Sequence, residues 1–257
     1  MPRKRNLCRN RPRKLIHDAK DHSIARRRWR SWLPKMMPDL SDLLGKKEIF
    51  WELQGIAKQN PEILTPGAFF DWMCRNYMTS VAIGIRSFGD LDRRSHSLGR
   101  LLYEIIERPG SISRRSHVSL YRGMPDGAFY GNSSFDHIAG ANRPYLSYRI
   151  VRHDLRDLED TLERIRLYVN KRIAHRTGAG AFRKPPTLNQ LDEALDSIDE
   201  LYCKYNLLLT ASGLTTCFAT RQYNWRSVLY EPWIPDKDGL YSPIALSKSP
   251  PTPSDDA

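Results

Sequence analysis

No run of eighteen consecutive apolar residues occurs in this chain, so no segment reads as a membrane-spanning helix. The basic first three dozen residues hold no apolar stretch of the kind a secretory signal needs. Cysteine is scarce: Cys8, Cys74, Cys203 and Cys217 stand far apart. No CxxC pair and no Cys/His pair has zinc-ligand spacing, which argues for reduced thiols and a cytoplasmic setting. His17, His22, His96, His117, His137 and His153 form no metal pattern, so neither a metal nor a cofactor is expected. The phosphate-binding pattern Gly-x-x-x-x-Gly-Lys-Ser/Thr is missing, and GAGAFRK at 178–184 does not have its spacing. There is no GxSxG elbow and no internal repeat.

What remains is a chain of 257 residues, 40% hydrophobic, long enough to bury one sizeable core. Its net charge of +12 is unevenly spread. Residues 1–36 hold thirteen Lys or Arg against two Asp, whereas the remainder is close to neutral. A basic arm of that kind favours polyanions, RNA or DNA above all, and is equally compatible with a solvated tail that binds nothing specific. Met36 and Met37 precede the first expected helix, so residues 1–35 are also compatible with an upstream translation artefact, which intact mass from the natural host would decide.

The body reads as helical. One helix is expected over about 41–59, with Ser41 as its cap and Asn60-Pro61 as its stop. A second opens on Thr65-Pro66 and carries Phe70, Met73, Tyr77, Val81, Ile85 and Phe88 at three- and four-residue steps. A third, from near Ser95, has the stripe Leu98, Leu101, Leu102, Ile105 and Ile106 and ends at Pro109-Gly110. Residues 111–121 suit a short helix, and 122–148, rich in Gly, Asn and Ser, read as a long loop insertion. A fourth helix is expected from about Asp154 to Arg172, with Leu155, Leu158, Leu162, Ile165 and Val169 forming a bundle seam. After a basic Gly/Pro loop over 176–187, a fifth begins at Thr187 with the capping-box partner Gln190. Its face is Leu188, Leu191, Leu195, Ile198, Tyr202, Tyr205 and Leu209. Residues 235–257, rich in Pro, Ser and Asp, are expected to be disordered. The fold class is therefore all-α, an antiparallel helical bundle with a long loop insertion and disordered termini.

Chemistry concentrates at Asn170-Lys171-Arg172-Ile173-Ala174-His175. Tyr168, Arg172 and His175 share one face if the helix persists. A histidine of near-neutral pKa can take a proton from a ribose 2′-hydroxyl or give one to a leaving 5′-oxygen. A guanidinium such as Arg172 can hold the phosphate, and Asn170 can hydrogen-bond the same group. Arg176, Arg183 and Lys184 in the following loop can track a phosphate backbone. Spacing alone favours a plainer reading, in which His175 and its basic neighbours serve the last carbonyls of a helix. A second constellation, Arg86, Asp90, Asp92, Arg93 and Arg94, is in isolation a solvated helix end with local ion pairs.

The segments YVNKRIAHR and LNQLDEALDSIDELYCKYNLLLTASGL together resemble the HEPN superfamily, and more narrowly its AbiU-like abortive-infection branch. IFWELQGIAKQNP, IGIRSFGDLDRRSHSLGRLLYEI and YNWRSVLYEPWI match in order, so the similarity covers about residues 41–234. The resemblance implies a helical bundle that dimerises. It also implies a ribonuclease site made of an Arg, four to six residues, and a His, with a polar residue after the Arg. On that pattern His175 is the acid/base and Asn170 the polar residue, but Val169 stands where the Arg belongs. Within the same resemblance Asp90 would orient an active-site arginine and Arg86 would touch substrate.

Three readings stay open. One is a metal-independent RNA endonuclease of a prokaryotic defence or toxin kind, a cytoplasmic homodimer with a possible cognate antitoxin. In it Arg172 or Arg166 replaces the missing guanidinium. Another is a catalytically inactive module of the same fold that binds RNA or a partner protein. A third, in which the basic arm supplies nucleic-acid affinity and the bundle only dimerises, predicts steep salt dependence that vanishes without residues 1–35.

Overall fold

The computed structural model describes residues 19–65, 67–174 and 185–231. Seven α-helices lie among them: α1 (Ala19–Gln59), α2 (Ala68–Phe88), α3 (Leu98–Glu107), α4 (Arg114–Val118), α5 (Gly127–Ala139), α6 (Tyr148–Tyr168) and α7 (Leu188–Thr210). No strand occurs among the described residues, which confirms the all-α class. A single antiparallel bridge, Ser113 to Tyr145, tacks the start of α4 to the approach to α6. The chain through Ala219 is one compact unit and Thr220 onward is another. Of the second, the described part is a short 3-10 turn, Trp225–Tyr230, capped by Asn224.

The first helix departs most from expectation. The segment expected over 41–59 is only the second half of α1, which starts at Ala19 and runs through Pro34 and Pro38. Proline inside a helix removes a hydrogen bond and crowds the preceding turn. That cost is offset by burial: Trp29, Trp32, Leu33, Met36, Leu40, Leu43, Leu44 and Phe50 all enter the core, with Trp29 fully enclosed. The basic arm expected over 1–36 is therefore folded from Ala19 onward, while residues 1–18 lie outside the described residues. Its arginines have partners within the fold: Arg26 donates to the Ser111 carbonyl at 2.6 Å, and Arg30 donates to the Leu209 carbonyl in the last turn of α7. A cation there meets the negative end of that helix. Residues 19–35 are thus an integral part of the core and not a dispensable extension ahead of Met36.

The second correction is at 122–148, expected to be a loop. Residues 127–139 form α5. The glycines that suggested irregular chain serve close packing instead. A Cβ on Gly131 would lie 3.0 Å from the Val118 Cα, and one on Gly127 would lie 2.2 Å from the Tyr121 carbonyl oxygen. Phe135, fully buried, anchors the helix. His117 binds the region together: Nδ1 meets the Leu208 carbonyl at 3.0 Å and Nε2 meets the Ser134 hydroxyl at 3.1 Å.

The remaining seams follow their periodicity. Leu98, Leu101, Leu102 and Ile105 of α3 are buried, as are Leu155, Leu158, Leu162 and Ile165 along α6 and Val169 just beyond its end. α6 packs chiefly against α3 and α7, and α1 against α7. The capping box at Thr187 is present: its hydroxyl accepts from the Gln190 N–H at 3.2 Å, and the Gln190 side chain accepts from the Thr187 N–H at 3.0 Å. α2 starts at Ala68, later than the expected Thr65-Pro66, with Gly67 at its cap. The tail expected to be disordered, 235–257, lies outside the described residues.

Candidate functional site

The end of α2 and the end of α6 meet. Tyr77, Val81, Ala82, Ile85 and Phe88 commit one face of α2 to the core, so Arg86, next to Ile85, is left on the exposed side. α2 stops at Gly89, whose N–H reaches back to the Arg86 carbonyl at 3.2 Å. The turn then packs backbone on backbone, since a Cβ on Gly99 would sit 3.1 Å from the Gly89 carbonyl carbon. That contact fixes where Arg86 emerges.

α6 brings the other half. Its α-geometry holds to Tyr168, and Val169–Ala174 continue as a π-helical turn. A π turn takes more residues per revolution than the 3.6 of an α-helix and rotates the side chains that follow, and such turns recur at functional sites. The single face expected for Tyr168, Arg172 and His175 presupposes an unbroken α-helix to Arg172, and the helix changes form before that. Val169 is 5% exposed and belongs to the core. The next residue, Asn170, is turned outward enough for its Oδ1 to accept from the Nε of Arg86 at 2.9 Å.

This hydrogen bond joins two residues 84 positions apart that the sequence singled out separately. Asp90, expected beside an arginine, does something else: its Oδ1 accepts from the Asp92 N–H at 3.1 Å, and its carbonyl accepts from the Ser97 hydroxyl. It shapes the turn into α3. Asp92 pairs with Arg94 in the same exposed loop. Arg172 is exposed on the π turn. His175, Arg176, Arg183 and Lys184 lie outside the described residues.

Two residues join the site from α6. A narrow cleft is lined by Arg86, Glu159, Leu162 and Arg166, together with Gly89 and Gly99. Glu159 and Arg166 are two helical turns apart and therefore on one face of α6. Burial pushes the Glu159 carboxyl above its ordinary range, and Asp160 adds to the rise, while Arg166 and Arg156 pull against it. Glu159 was not singled out from the sequence, where it is one acid among many on α6. The signal available was its seven-residue spacing from Arg166. Two exposed guanidinium groups and a carboxyl that holds its proton more tightly than usual can grip a phosphate and exchange a proton beside it.

The HEPN AbiU2 family model, described as AbiU2, matches residues 19–225. The chain belongs to the HEPN AbiU2 family. The matched region begins at the first turn of α1 rather than near residue 41, in keeping with the burial of Trp29 and Trp32. No curated protein and no solved structure gives a significant match. Within this HEPN AbiU2 chain, the polar end of α2 meets the π turn at Asn170, and the buried Val169 stands immediately before it.

Proposed function

We propose that this HEPN AbiU2 protein is a metal-independent RNA endonuclease of the abortive-infection kind, acting in the cytoplasm as a homodimer. The observation that supports the reading most is the Arg86–Asn170 hydrogen bond at the start of the turn that leads to His175. Val169 is in the core and binds no phosphate. Arg86, held by Asn170, and Arg166 across the same cleft supply the guanidinium groups in its place. Arg172 on the π turn is a third cation near this point of the chain.

In this mechanism the ribose 2′-hydroxyl attacks the adjacent phosphorus and passes its proton to a general base. The P–O5′ bond breaks, and the leaving 5′-oxygen takes a proton from a general acid. His175 fills the acid/base role and Asn170 orients Arg86. Arg176, Arg183 and Lys184 track the backbone of the RNA. The products are a 2′,3′-cyclic phosphate and a 5′-hydroxyl, so a 3′-hydroxyl product would contradict the chemistry.

The buried Val169 favours one other reading: a silent HEPN module that binds RNA or a cognate antitoxin without cutting. Cleavage of a mixed RNA pool in EDTA, comparing wild type with His175→Ala and Arg86→Ala, separates the two. Cutting by wild type and not by His175→Ala is the expected result. Binding of RNA with no cutting by any of the three proteins would establish the silent module.

A further inference from the structure

The last three turns of α7 and the chain that follows them form a second constellation. After Thr210 the backbone passes through Ala211 in the left-handed region, at φ 60°, and turns back. Asn206 of α7 holds the reversal by donating from Nδ2 to the Ser212 carbonyl at 2.8 Å. The returning segment then docks on Asp199. The Thr216 hydroxyl donates to Asp199 Oδ2 at 2.6 Å, and the Cys217 N–H donates to Oδ1 at 2.8 Å. Cys203 stands one turn along α7 from Asp199, with its Sγ 3.9 Å from Oδ1. One carboxylate oxygen of Asp199, the sulfur of Cys203 and the sulfur of Cys217 all lie within 4.8 Å of one another.

We propose that Asp199, Cys203 and Cys217 form a binding site for a thiophilic divalent cation, with zinc the best match. A tetrahedral zinc site with Zn–S of about 2.3 Å and Zn–O of about 2.0 Å places sulfurs about 3.8 Å apart and sulfur and oxygen about 3.5 Å apart. The observed spacings need only small side-chain adjustments to reach that. Two thiolates select a soft or borderline ion over magnesium or calcium. The Thr216 and Cys217 hydrogen bonds fix the orientation of the carboxylate and leave each oxygen a further lone pair. Both sulfurs are shielded from solvent, while Asp199 is half-buried and gives water a side from which to complete the coordination. Burial and then Asp199 push the Cys203 thiol up, with the Cys217 hydrogen bond pulling against them, and burial, Cys203 and Asp199 push Cys217 up; the cation would displace both protons on binding. The sequence offers no CxxC here. The site exists because the reversal after α7 returns Cys217 to a helix it left seven residues earlier.

The test uses the full chain with Cys8→Ser and Cys74→Ser, reduced and kept free of oxygen. Cobalt(II) is added as the spectroscopic probe and then displaced with zinc. The expected result is one equivalent of cobalt with a thiolate-to-cobalt charge-transfer band, lost on adding zinc. Cys203→Ser and Cys217→Ser should each abolish the band and weaken zinc binding by at least about 100-fold, and Asp199→Asn by about 10-fold. Asp199 is half-buried, so its asparagine variant remains informative should a cysteine variant fail to fold. No charge-transfer band in the reduced protein overturns the proposal. So does a band that survives in Cys203→Ser. An intramolecular disulfide forming in air, with no cobalt bound by the reduced protein, would make the pair redox-active thiols instead.

Discussion

Two arginine-rich clusters of this molecule look alike in the sequence and differ in the fold. Around Glu104 of α3, Arg100 donates at 2.8 Å and Trp29 Nε1 at 2.9 Å, Arg28 pairs with the same carboxylate, and Arg108 lies 3.7 Å away. Glu104 is 5% exposed, so this charge is buried and saturated with donors. Arg86 has one described partner, Asn170, and is open to solvent. A buried carboxylate engaged by donors on both oxygens holds α1 to α3. An exposed guanidinium steered through Nε keeps its outer nitrogens available for an incoming anion. The difference lies in saturation and exposure, not in residue type.

Removing Glu104 should produce the largest effect. Glu104→Ala leaves Arg100 and the buried Trp29 N–H without their acceptor while the half-exposed Arg28 turns to water, and breaking a buried pair costs about 3–5 kcal/mol, of which the solvent-screened Arg28 takes little. Chemical denaturation should show that loss, with any RNA cleavage by the protein that remains folded unchanged. A loss below about 1 kcal/mol would mean that the cluster is solvated and that the contrast with Arg86 is false.

Next comes Arg86→Ala, in which the effects reverse. Cleavage should fall by about 100-fold, as when one transition-state donor is lost, while stability stays within about 0.5 kcal/mol of wild type. Asn170→Ala should lower cleavage less, because it frees Arg86 without removing it. Equal loss from both would assign Asn170 a direct contact with the RNA. A drop in stability that matched the drop in cleavage would turn Arg86 into a structural residue like Arg100.

The same contrast explains what could be read from the sequence. The α3, α6 and α7 seams were legible because each is a regular stripe, and the Thr187–Gln190 box is where its spacing put it, whereas the first turns of α6, from Tyr148 behind Ser147, precede the expected start at Asp154. The family and the chemistry-bearing segment were legible for the same reason, being local. The first half of α1 was not: Pro34, Pro38 and a dense run of arginines signal an arm, and only the tertiary partners Glu104, Ser111 and Leu209 turn that run into a helix. α5 was missed because Gly127 and Gly131 signal a loop until the close approach of Val118 and Tyr121 is known. At the site, Asn170 and Arg86 could each be named, but their contact could not, because it depends on where a π turn begins.

The smallest expected effect is a pH dependence. His117 is buried, and that burial lowers its pKa from the ordinary value of 6.5; Arg114 lowers it further, while the bond to the Leu208 carbonyl pulls the other way. A histidine held below its unfolded value binds a proton more readily in the unfolded chain. Its contribution to stability is therefore complete above about pH 6.5 and is lost as the pH falls from there toward the folded value. Glu104 behaves differently. Burial alone would raise its carboxyl, but the bonds from Trp29, Arg100 and Arg28 hold it below 4.5, so its contribution is lost only in stronger acid, as the pH falls through the lowered value. The two windows are separate. His117→Asn keeps a donor for Leu208 and removes the titration, so thermal melts between pH 7.5 and 5 should slope less in the variant than in wild type, from a lower starting stability. Identical slopes would mean that Leu208 and Ser134 hold His117 equally well with its extra proton, and that the packing of α4 between α5 and α7 is not what resists acid.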